Sequence, residues 1–289
     1  MIYEKKLETW SAFEDEAKRL NDQNADTLIG MMGLPYIYRG QSDAAWRLET
    51  TLERLIEPNH SIRNYYNTIK NLQRKIESFT ERKWILPSTE EYDTWLENPD
   101  SSIYEIPALE YMAYLRHYGF PSPLLDWSLS PHVAAYFAFR DIASKADSVA
   151  IFMYYMQFGL DEKLSQEPKI FRLEEDIRTD RRHYLQQSVY TICCNGGSKD
   201  VDDVEPYYAN HEDLYAQTTS DEPGEYVTKY ILPASERAKA LLSLETHNIN
   251  AYSLIGTEES LLETEFIRYY ALRKARKETY PDWSGSTWE

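Results

Sequence analysis

Shortages of cysteine, of long apolar runs and of basic residues each exclude a class of protein. The two cysteines, Cys193 and Cys194, are adjacent within a predicted strand, where neighbouring side chains point to opposite faces. They therefore form neither a disulfide framework nor a CxxC metal clip. No apolar run reaches the ~18 residues of a membrane span, and MIYEKKLETW lacks the apolar core of a signal peptide. The sequence predicts a cytoplasmic protein without a membrane partner.

The charge balance is strongly acidic. Lysine and arginine total 31 against 48 aspartates and glutamates, which gives a net charge of -17. A field of this sign repels nucleic acid and anionic membranes, so a nucleic-acid site would need a local basic cleft. A protein is the more favourable macromolecular target, although a small positive cleft could reverse that preference.

Several motifs of common enzyme classes are also missing. Neither GxGxxG nor GxxxxGK[ST] occurs, which excludes the two common phosphate-cradling loops, and no serine lies in GxSxG. The six histidines show neither HxxxH nor HxH spacing, and no EF-hand pattern is present. The sequence predicts no metal site and disfavours a hydrolase.

The apolar periodicity predicts an α+β fold. Helical patterns alternate irregularly with β-branched and aromatic runs, which favours a mixed, mainly antiparallel sheet with flanking helices over a doubly wound fold. A short strand is predicted over Tyr36–Tyr38, a second extended piece over Trp46–Leu52, and strands over "SVAIFMYYM", "RRHYLQQSVYTICC" and "EYVTKYILP". The predicted organisation is a helical extension at 1–29, one domain at 30–275 with an acidic loop at about 195–225, and a tail at 276–289.

Arg39 is the first candidate functional residue. It stands at the end of a predicted strand, where its fork of donors can clamp a phosphate or carboxylate, and Gly40 after it lets a ligand approach closely. The alternative is a structural ion pair, for which Asp126 is the natural partner.

A predicted helix carries the second set of candidates. Glu110 and His117 are seven residues, or two turns, apart and lie on one face with Tyr114 between them. A carboxylate, a phenol and an imidazole in line suit acid and base chemistry, but a solvent-facing polar stripe has the same pattern.

Asp126 is the third candidate, because "LLDWS" holds a carboxylate in apolar company. Burying that charge costs free energy unless it is paired or hydrogen-bonded. Ser128, Ser130 and the amides of the following helix would offer an anion-friendly corner, although a simple N-cap explains Ser130.

Three segments together resemble the FRG domain family, named for its aromatic-Arg-Gly motif. They are "YIYRGQSDAAWRLETTLER", "LEYMAYLRHYGFPSPLLDWSLSPHVAAYFAF" and "YLQQSVYTI". Members usually carry Gln before the His and Arg before Leu-Leu-Asp, where this chain has Arg116 and Pro123. One positive charge has thus moved to the other side of the turn.

The order of the family's motifs is similar to that of mono-ADP-ribosyltransferases, which implies an ADP-ribosyltransferase-like core that uses NAD as co-substrate. In that arrangement Arg39 would hold the pyrophosphate, Ser128 would support the nicotinamide ribose, and Tyr136 or Trp127 would stack near the nicotinamide. The implied NAD-binding set is Tyr38, Arg39, Gly40, Gln41, Trp127, Ser128 and Tyr136. The implied catalytic set is Arg39, Glu110, His117, Asp126 and Gln187.

The position of the family's catalytic glutamate falls near Gln186 or Gln187. Cleavage of the nicotinamide–ribose bond develops positive charge on the sugar, which a carboxylate stabilises and a neutral amide does not. Either Glu110 or Asp126 supplies that charge, or the domain binds without transferring.

The sequence leaves three hypotheses. In the first, the protein uses NAD to modify a protein or nucleic acid, as a toxin or phage-conflict effector with an antitoxin or regulatory protein as a further partner. In the second, it is a non-catalytic module of the same fold that binds a nucleotide-like ligand or a partner. In the third, Arg39, Glu110, His117 and Asp126 form a buried ion-pair network that orients the core.

Overall fold

The structure is a computed structural model that describes residues 2–25, 36–56, 59–98, 100–156, 163–173, 177–197, 204–217 and 225–273. These residues form nine strands and ten α-helices. The strands are β1 (Ile2–Lys6), β2 (Ile37–Gln41), β3 (His60–Ser61), β4 (Leu124–Ser128), β5 (Ser148–Met156), β6 (Lys169–Arg172), β7 (Ser188–Asn195), β8 (Tyr207–Tyr208) and β9 (Glu225–Pro233). The helices are α1 (Trp10–Ala25), α2 (Ile62–Thr80), α3 (Thr89–Glu97), α4 (Leu109–His117), α5 (Pro131–Phe139), α6 (Arg181–Leu185), α7 (His211–Gln217), α8 (Arg237–Thr246), α9 (Ala251–Ile255) and α10 (Glu258–Phe266).

All nine strands belong to one curled sheet. Its order is β1-β9-β5-β2-β4-β7-β8-β3, and β6 pairs with β7 outside this path. β1 runs parallel to β9, and the other pairings are antiparallel. The predicted α+β class with a mixed, mainly antiparallel sheet is confirmed.

The first 25 residues are built into this sheet. β1 adds an edge strand beside β9, and α1 buries Trp10 and Phe13 against Phe139 and Tyr230. Residues 2–25, which belong to the predicted helical extension, therefore share the core of the following chain. Residues 26–35 and 274–289, which include the predicted C-terminal tail, lie outside the described residues, as do 198–203 and 218–224 of the predicted acidic loop.

Three apolar clusters pack against the strands. One lies beneath α1, α5 and α8, and a second lies beneath α2, α3 and α4. A third contains Leu125, Trp127 and Phe152, and Tyr215 of α7 packs into it. β4 contributes to the second and third clusters in alternation, Leu124 to one and Leu125 to the other, as a strand of period two requires.

Local sequence signals explain several helix ends. Ser130 accepts a hydrogen bond from the Val133 amide, and Pro131 occupies the first turn of α5. Ser88 and Glu91 form a capping box at the start of α3.

Two predicted extended segments have a different structure. The run predicted as a strand from Arg181 begins as helix α6, because Asp180 caps it by accepting from the Arg182 amide, and the strand starts only at Ser188. Gln187, with a φ of 48°, turns the chain between them. The piece predicted over Trp46–Leu52 consists of turns and irregular chain, since Asp43 accepts from the Ala45 amide and closes a turn.

Candidate functional site

A cleft opens where β2 and β4 part. These strands pair at Tyr38 and Ser128, whereas β2 pairs with β5 at five positions and β4 pairs with β7 at five. Each strand is thus held on its outer side while the two diverge from one another. The gap has a volume of about 240 Å³. We call it the Arg39 cleft, and it is lined by Tyr38, Arg39, Gly40, Gln41, Ser42, Trp46, Arg54, Asp126, Trp127, Ser128, Val133, Ala134, Phe137, Gln186 and Ser188.

Arg39 and Asp126 meet in this cleft. Nη1 of Arg39 donates to the Asp126 carbonyl at 2.8 Å and lies 3.0 Å from Oδ1 of the same residue. Nη2 of Arg116 donates to that Oδ1 as well. The ion pair that the sequence offered as the alternative for Arg39 is present, and Arg116 joins it.

The carboxylate faces the cleft and the guanidinium groups lie behind it. The Asp126 side chain is 43% exposed, against 12% for Arg39 and 15% for Arg116. The surrounding protein raises the pKa of Asp126 by desolvation, but Arg116 and Arg39 lower it by more, so its pKa lies well below its usual range. Asp126 is therefore ionised at neutral pH and has no proton to donate as a general acid.

Arg54 is the second guanidinium that lines this cleft, and Arg116 holds Asp126 from outside the lining. Its Nη1 donates to the Glu49 carbonyl at 3.5 Å, and the residue is exposed at the rim. Desolvation and then the charges of Arg39 and Arg116 lower the pKa of Arg54, and Asp126 opposes them only in part. Three positive groups thus surround one carboxylate, and the cleft is locally basic in a chain of net charge -17.

Arg39 and Gln41, which line the cleft, each have a buried polar atom with no hydrogen-bond partner among the described residues. These two atoms are Nε of Arg39 and Oε1 of Gln41. The other end of the Gln41 amide donates to the Arg47 carbonyl at 3.1 Å, which fixes its orientation. Buried polar groups are almost always hydrogen-bonded, so these two atoms are candidate contacts for a bound group.

Gly40 has a packing role. A Cβ built on it would lie 1.9 Å from the Ala134 carbonyl oxygen and 2.6 Å from the Ala138 amide nitrogen. Helix α5 therefore passes directly over this residue. The contact between β2 and α5 requires the missing side chain, and the predicted clearance for a ligand at Gly40 stays a prediction.

Ser128, Trp127 and Tyr136 already have partners within the protein. Ser128 donates to the Gln186 carbonyl at 2.7 Å, and the Trp127 indole donates to Thr191 at 3.0 Å inside the third apolar cluster. The Tyr136 hydroxyl lies 3.3 Å from Glu263 and does not line the Arg39 cleft. Their predicted contacts with NAD remain predictions, and Ser128 would have to exchange its hydrogen bond to make one.

The structure separates the two glutamines. Gln186 lines the Arg39 cleft and donates to the Leu254 carbonyl at 3.2 Å, whereas Gln187 is exposed and does not line it. At the position where the resemblance implies a catalytic glutamate, the cleft thus has the neutral amide of Gln186, which is hydrogen-bonded to Leu254.

Glu110 and His117, predicted to act together, lie in different surroundings. Glu110 lines a second cleft and accepts from the Arg178 amide at 3.3 Å. His117 Nε2 lies 3.0 Å from the Tyr190 hydroxyl, which is 3.4 Å from His183. Burial lowers the pKa of His117 to about 4, and the negative charge of Asp126 only partly offsets it. His117 is therefore neutral near pH 7.

Sequence reasoning did not select Trp46, Arg54 or Arg116 as site residues. Trp46 is 53% exposed at the mouth of the cleft, and Arg54 follows it on the same loop. "DAAWRLETTLER" does hold a signal, because an exposed tryptophan and arginines directly follow the Arg-Gly motif. Within the described residues, no group of three or more potential metal ligands is found, and no helix is long and apolar enough to cross a membrane.

The model of the FRG domain family matches residues 34–147. This segment supplies every residue that lines the Arg39 cleft except Gln186 and Ser188, and it also contains Arg116. No curated protein and no solved structure matches the chain. The likeness to ADP-ribosyltransferases therefore remains a prediction from the sequence.

Proposed function

We propose that the protein binds a nucleotide in the Arg39 cleft through its phosphate groups, with NAD as the nucleotide that the sequence resemblance implies. The observation that carries this proposal is the cluster of Arg39, Arg54 and Arg116 around the single carboxylate of Asp126. Arginine forks bind phosphate oxygens in pairs, and a net positive cleft in an acidic protein concentrates anions at one place.

The shape of the cleft fits part of a nucleotide. Its volume of about 240 Å³ lies below the ~300–1,000 Å³ typical of a site that encloses a drug-sized ligand. A phosphate and its ribose would be enclosed, and the base would lie outside them. The exposed indole of Trp46 at the mouth offers that base a ring on which to stack.

The geometry favours binding over transfer. Among the cleft-lining residues Asp126 is the one carboxylate, and two guanidinium groups already hold it. Glu110, the other predicted source of negative charge, lines a different cleft. A developing positive charge on the ribose would therefore meet no uncommitted carboxylate.

ADP-ribosyl transfer to a macromolecule is the second candidate function. The observation in its favour is that Arg39 and Ser128, the residues implied to hold the pyrophosphate and the ribose, lie on neighbouring strands and line one cleft. The role in toxicity or phage conflict that the family resemblance implies belongs to this candidate.

Isothermal titration calorimetry with NAD, ADP-ribose and pyrophosphate tests the proposal. We expect NAD and ADP-ribose to bind and Trp46→Ala to weaken both about tenfold, since stacking of a base contributes roughly 1–3 kcal/mol. Arg63→Ala is the control, because Arg63 pairs with Asp93 and Glu97 and does not line the cleft. Binding of none of the three ligands would refute the proposal.

A nicotinamide-release assay separates the two functions. Purified protein is incubated with NAD and a lysate as a source of targets. We expect binding without release of nicotinamide, whereas release that is lost in Arg39→Ala would establish transfer in place of binding alone.

A further inference from the structure

A second cleft lies around Trp84 and Glu110, and we call it the Trp84 cleft. It is lined by Arg82, Lys83, Trp84, Ile85, Leu86, Tyr104, Glu105, Ile106, Ala108, Leu109, Glu110, Tyr111, Ile177, Arg178 and Thr179. Its volume is about 590 Å³, which falls within the ~300–1,000 Å³ of small-molecule sites. Among the described residues, none lines both clefts. A ligand in the Trp84 cleft would therefore bind independently of the Arg39 cleft.

Helix α4 begins at this cleft without a side-chain cap. Ala108 precedes the helix with a φ of 69°, and as an alanine it has no side-chain oxygen that could cap the first-turn amides. Those amides carry the positive end of the helix dipole and point out of the helix start. The start of a nine-residue helix thus presents hydrogen-bond donors beside the cleft.

Side chains from three separate segments add unpartnered polar atoms. Nε1 of Trp84, the hydroxyl of Tyr111 and Oγ1 of Thr179 are buried and have no hydrogen-bond partner among the described residues. Tyr111 is fully buried at 0% exposure. The indole N–H can only donate, and both hydroxyls can donate, so the three atoms together call for an acceptor.

Rings and charges complete the cleft. Trp84 lies 5.1 Å from the Tyr111 ring, and the Arg82 guanidinium lies 5.3 Å from the Trp84 ring. Arg82 and Arg178 balance the charges of Glu105 and Glu110, and Lys83, which lies 3.5 Å from Glu77, adds a further positive charge. The Glu110 carboxylate accepts from the Arg178 backbone and so ties the third segment to α4.

We propose that the Trp84 cleft binds a flat aromatic ring that carries a carboxylate or a phosphate. The helix start, the indole N–H and the two hydroxyls donate to the anion, and the tryptophan ring packs against the ring of the ligand. Glu110, which the sequence suggested as a catalytic residue, positions the wall of this second site. The proposal does not depend on nucleotide binding at the Arg39 cleft.

The indole N–H resonance of Trp84 reports on this cleft directly. It is assigned by comparing the spectra of the wild type and Trp84→Phe, and the protein is then titrated with phenyl phosphate, benzoate and benzylamine. We expect a saturable shift of the Trp84 signal with phenyl phosphate or benzoate and none with benzylamine. Saturation by one of the two anions identifies the charged group that the cleft prefers.

Thr179→Val supplies the matched substitution, because it removes the hydroxyl and keeps the shape. We expect it to weaken binding of the anion about tenfold, the value of one hydrogen bond to a charged group. Thr94→Val, on the exposed face of α3, should leave binding unchanged. The proposal is overturned if neither anion shifts the signal, if benzylamine shifts it equally, or if Thr179→Val binds like the wild type.

Discussion

Asp126 is the residue whose substitution best distinguishes anion binding from acid or base catalysis. Its carboxylate competes with any ligand anion for Arg39 and Arg116, since both guanidinium groups contact Oδ1. We expect Asp126→Asn to strengthen ADP-ribose binding severalfold, because the competing charge is removed while the side-chain shape is kept. Calorimetry measures the change.

The same substitution tests the ion-pair network as a stabilising feature. A fully buried pair would cost about 3–5 kcal/mol on losing one member, but Asp126 is 43% exposed, so we expect a loss of about 1–2 kcal/mol in the free energy of unfolding. Urea unfolding of the variant measures it. If a folded Asp126→Asn variant bound ADP-ribose more weakly than the wild type, Asp126 would not be competing with the ligand for Arg39 and Arg116.

The close packing of α5 over Gly40 should make this position intolerant of a larger residue. A methyl group there would meet backbone atoms of α5 at 1.9 Å, and backbone yields less easily than a side chain. We expect Gly40→Ala to lower the free energy of unfolding by about 3 kcal/mol, the upper end of the overpacking range. Gly119→Ala is the control, because nothing lies within 4 Å of its Cβ position and only its φ of 85° opposes the change. Equal stability losses in the two variants would contradict the packing role.

For single residues, the pairing of Arg39 with Asp126 was predictable from the sequence, whereas the neighbouring residues of the cleft were not. Arg39 and Asp126 could be matched because a carboxylate between apolar residues demands a cation. Arg54 and Trp46 lie on a loop with no periodicity, where sequence does not fix the direction of a side chain. The packing role of Gly40 could not be predicted, since the approach of α5 is a tertiary contact between elements far apart in sequence.

Among the elements, helix α7 holds the loop that forms the rim of the Arg39 cleft, residues 42–56. Arg47 of this loop lies 2.7 Å from Asp213, and the Leu48 amide donates to Glu212. Glu53 of the same loop pairs with the buried His211 at 2.6 Å. The described part of the predicted acidic loop therefore braces the residues that carry Trp46 and Arg54.

The contact between the loop of residues 42–56 and helix α7 can be weakened by single substitutions. Arg47→Ala should lower the free energy of unfolding by less than about 1 kcal/mol, because its pairs are half exposed. We expect it to weaken ADP-ribose binding several times more than Arg63→Ala, which also loses pairs to two carboxylates. Glu212→Gln removes a negative charge at the same contact. If this variant binds ADP-ribose more weakly than the wild type, the contact acts by holding the loop in place. If it binds more tightly, the contact acts through its charge.

Elements with both an apolar period and a cap were predictable from sequence. α5 is an example, since Ser130 and Pro131 mark its start and its apolar residues fix its length. α6 was wrongly predicted as part of a strand, because five residues are too few for a helical period and β-branched residues follow directly. The pairing of β1 with β9 joins segments that lie far apart in the sequence, and no local signal indicates such a pairing.

For the whole molecule, partly buried histidines should contribute to the loss of stability in acid. Burial lowers the pKa of His117 to about 4 and also lowers the pKa values of His132 and His60. The unfolded chain takes up these protons near the ordinary histidine value of about 6.5, so between that pH and pH 4 it binds more protons than the folded protein. Stability should therefore fall as the pH is lowered through this window.

Urea unfolding at pH 7, 5.5 and 4.5 measures this effect. We expect His117 alone to account for about 2 kcal/mol across the window after allowance for its partial exposure. His117→Gln keeps a hydrogen-bonding group next to Tyr190 and should show a shallower fall. An identical pH dependence in the variant would mean that His117 is not the titrating group.

The chain as a whole is negatively charged, whereas the Arg39 cleft is positively charged, and the proposed nucleotide binding depends on this contrast. Arg54 tests it most directly, because it is exposed at the rim and hydrogen-bonds a backbone carbonyl at 3.5 Å. The decisive measurement is the affinity of Arg54→Gln for ADP-ribose by calorimetry, beside Arg63→Gln as a charge-matched control. We expect Arg54→Gln to bind about tenfold more weakly, in keeping with the ~1.5–3 kcal/mol of a charged hydrogen bond, with unchanged unfolding. Equal affinities in the two variants would contradict the account.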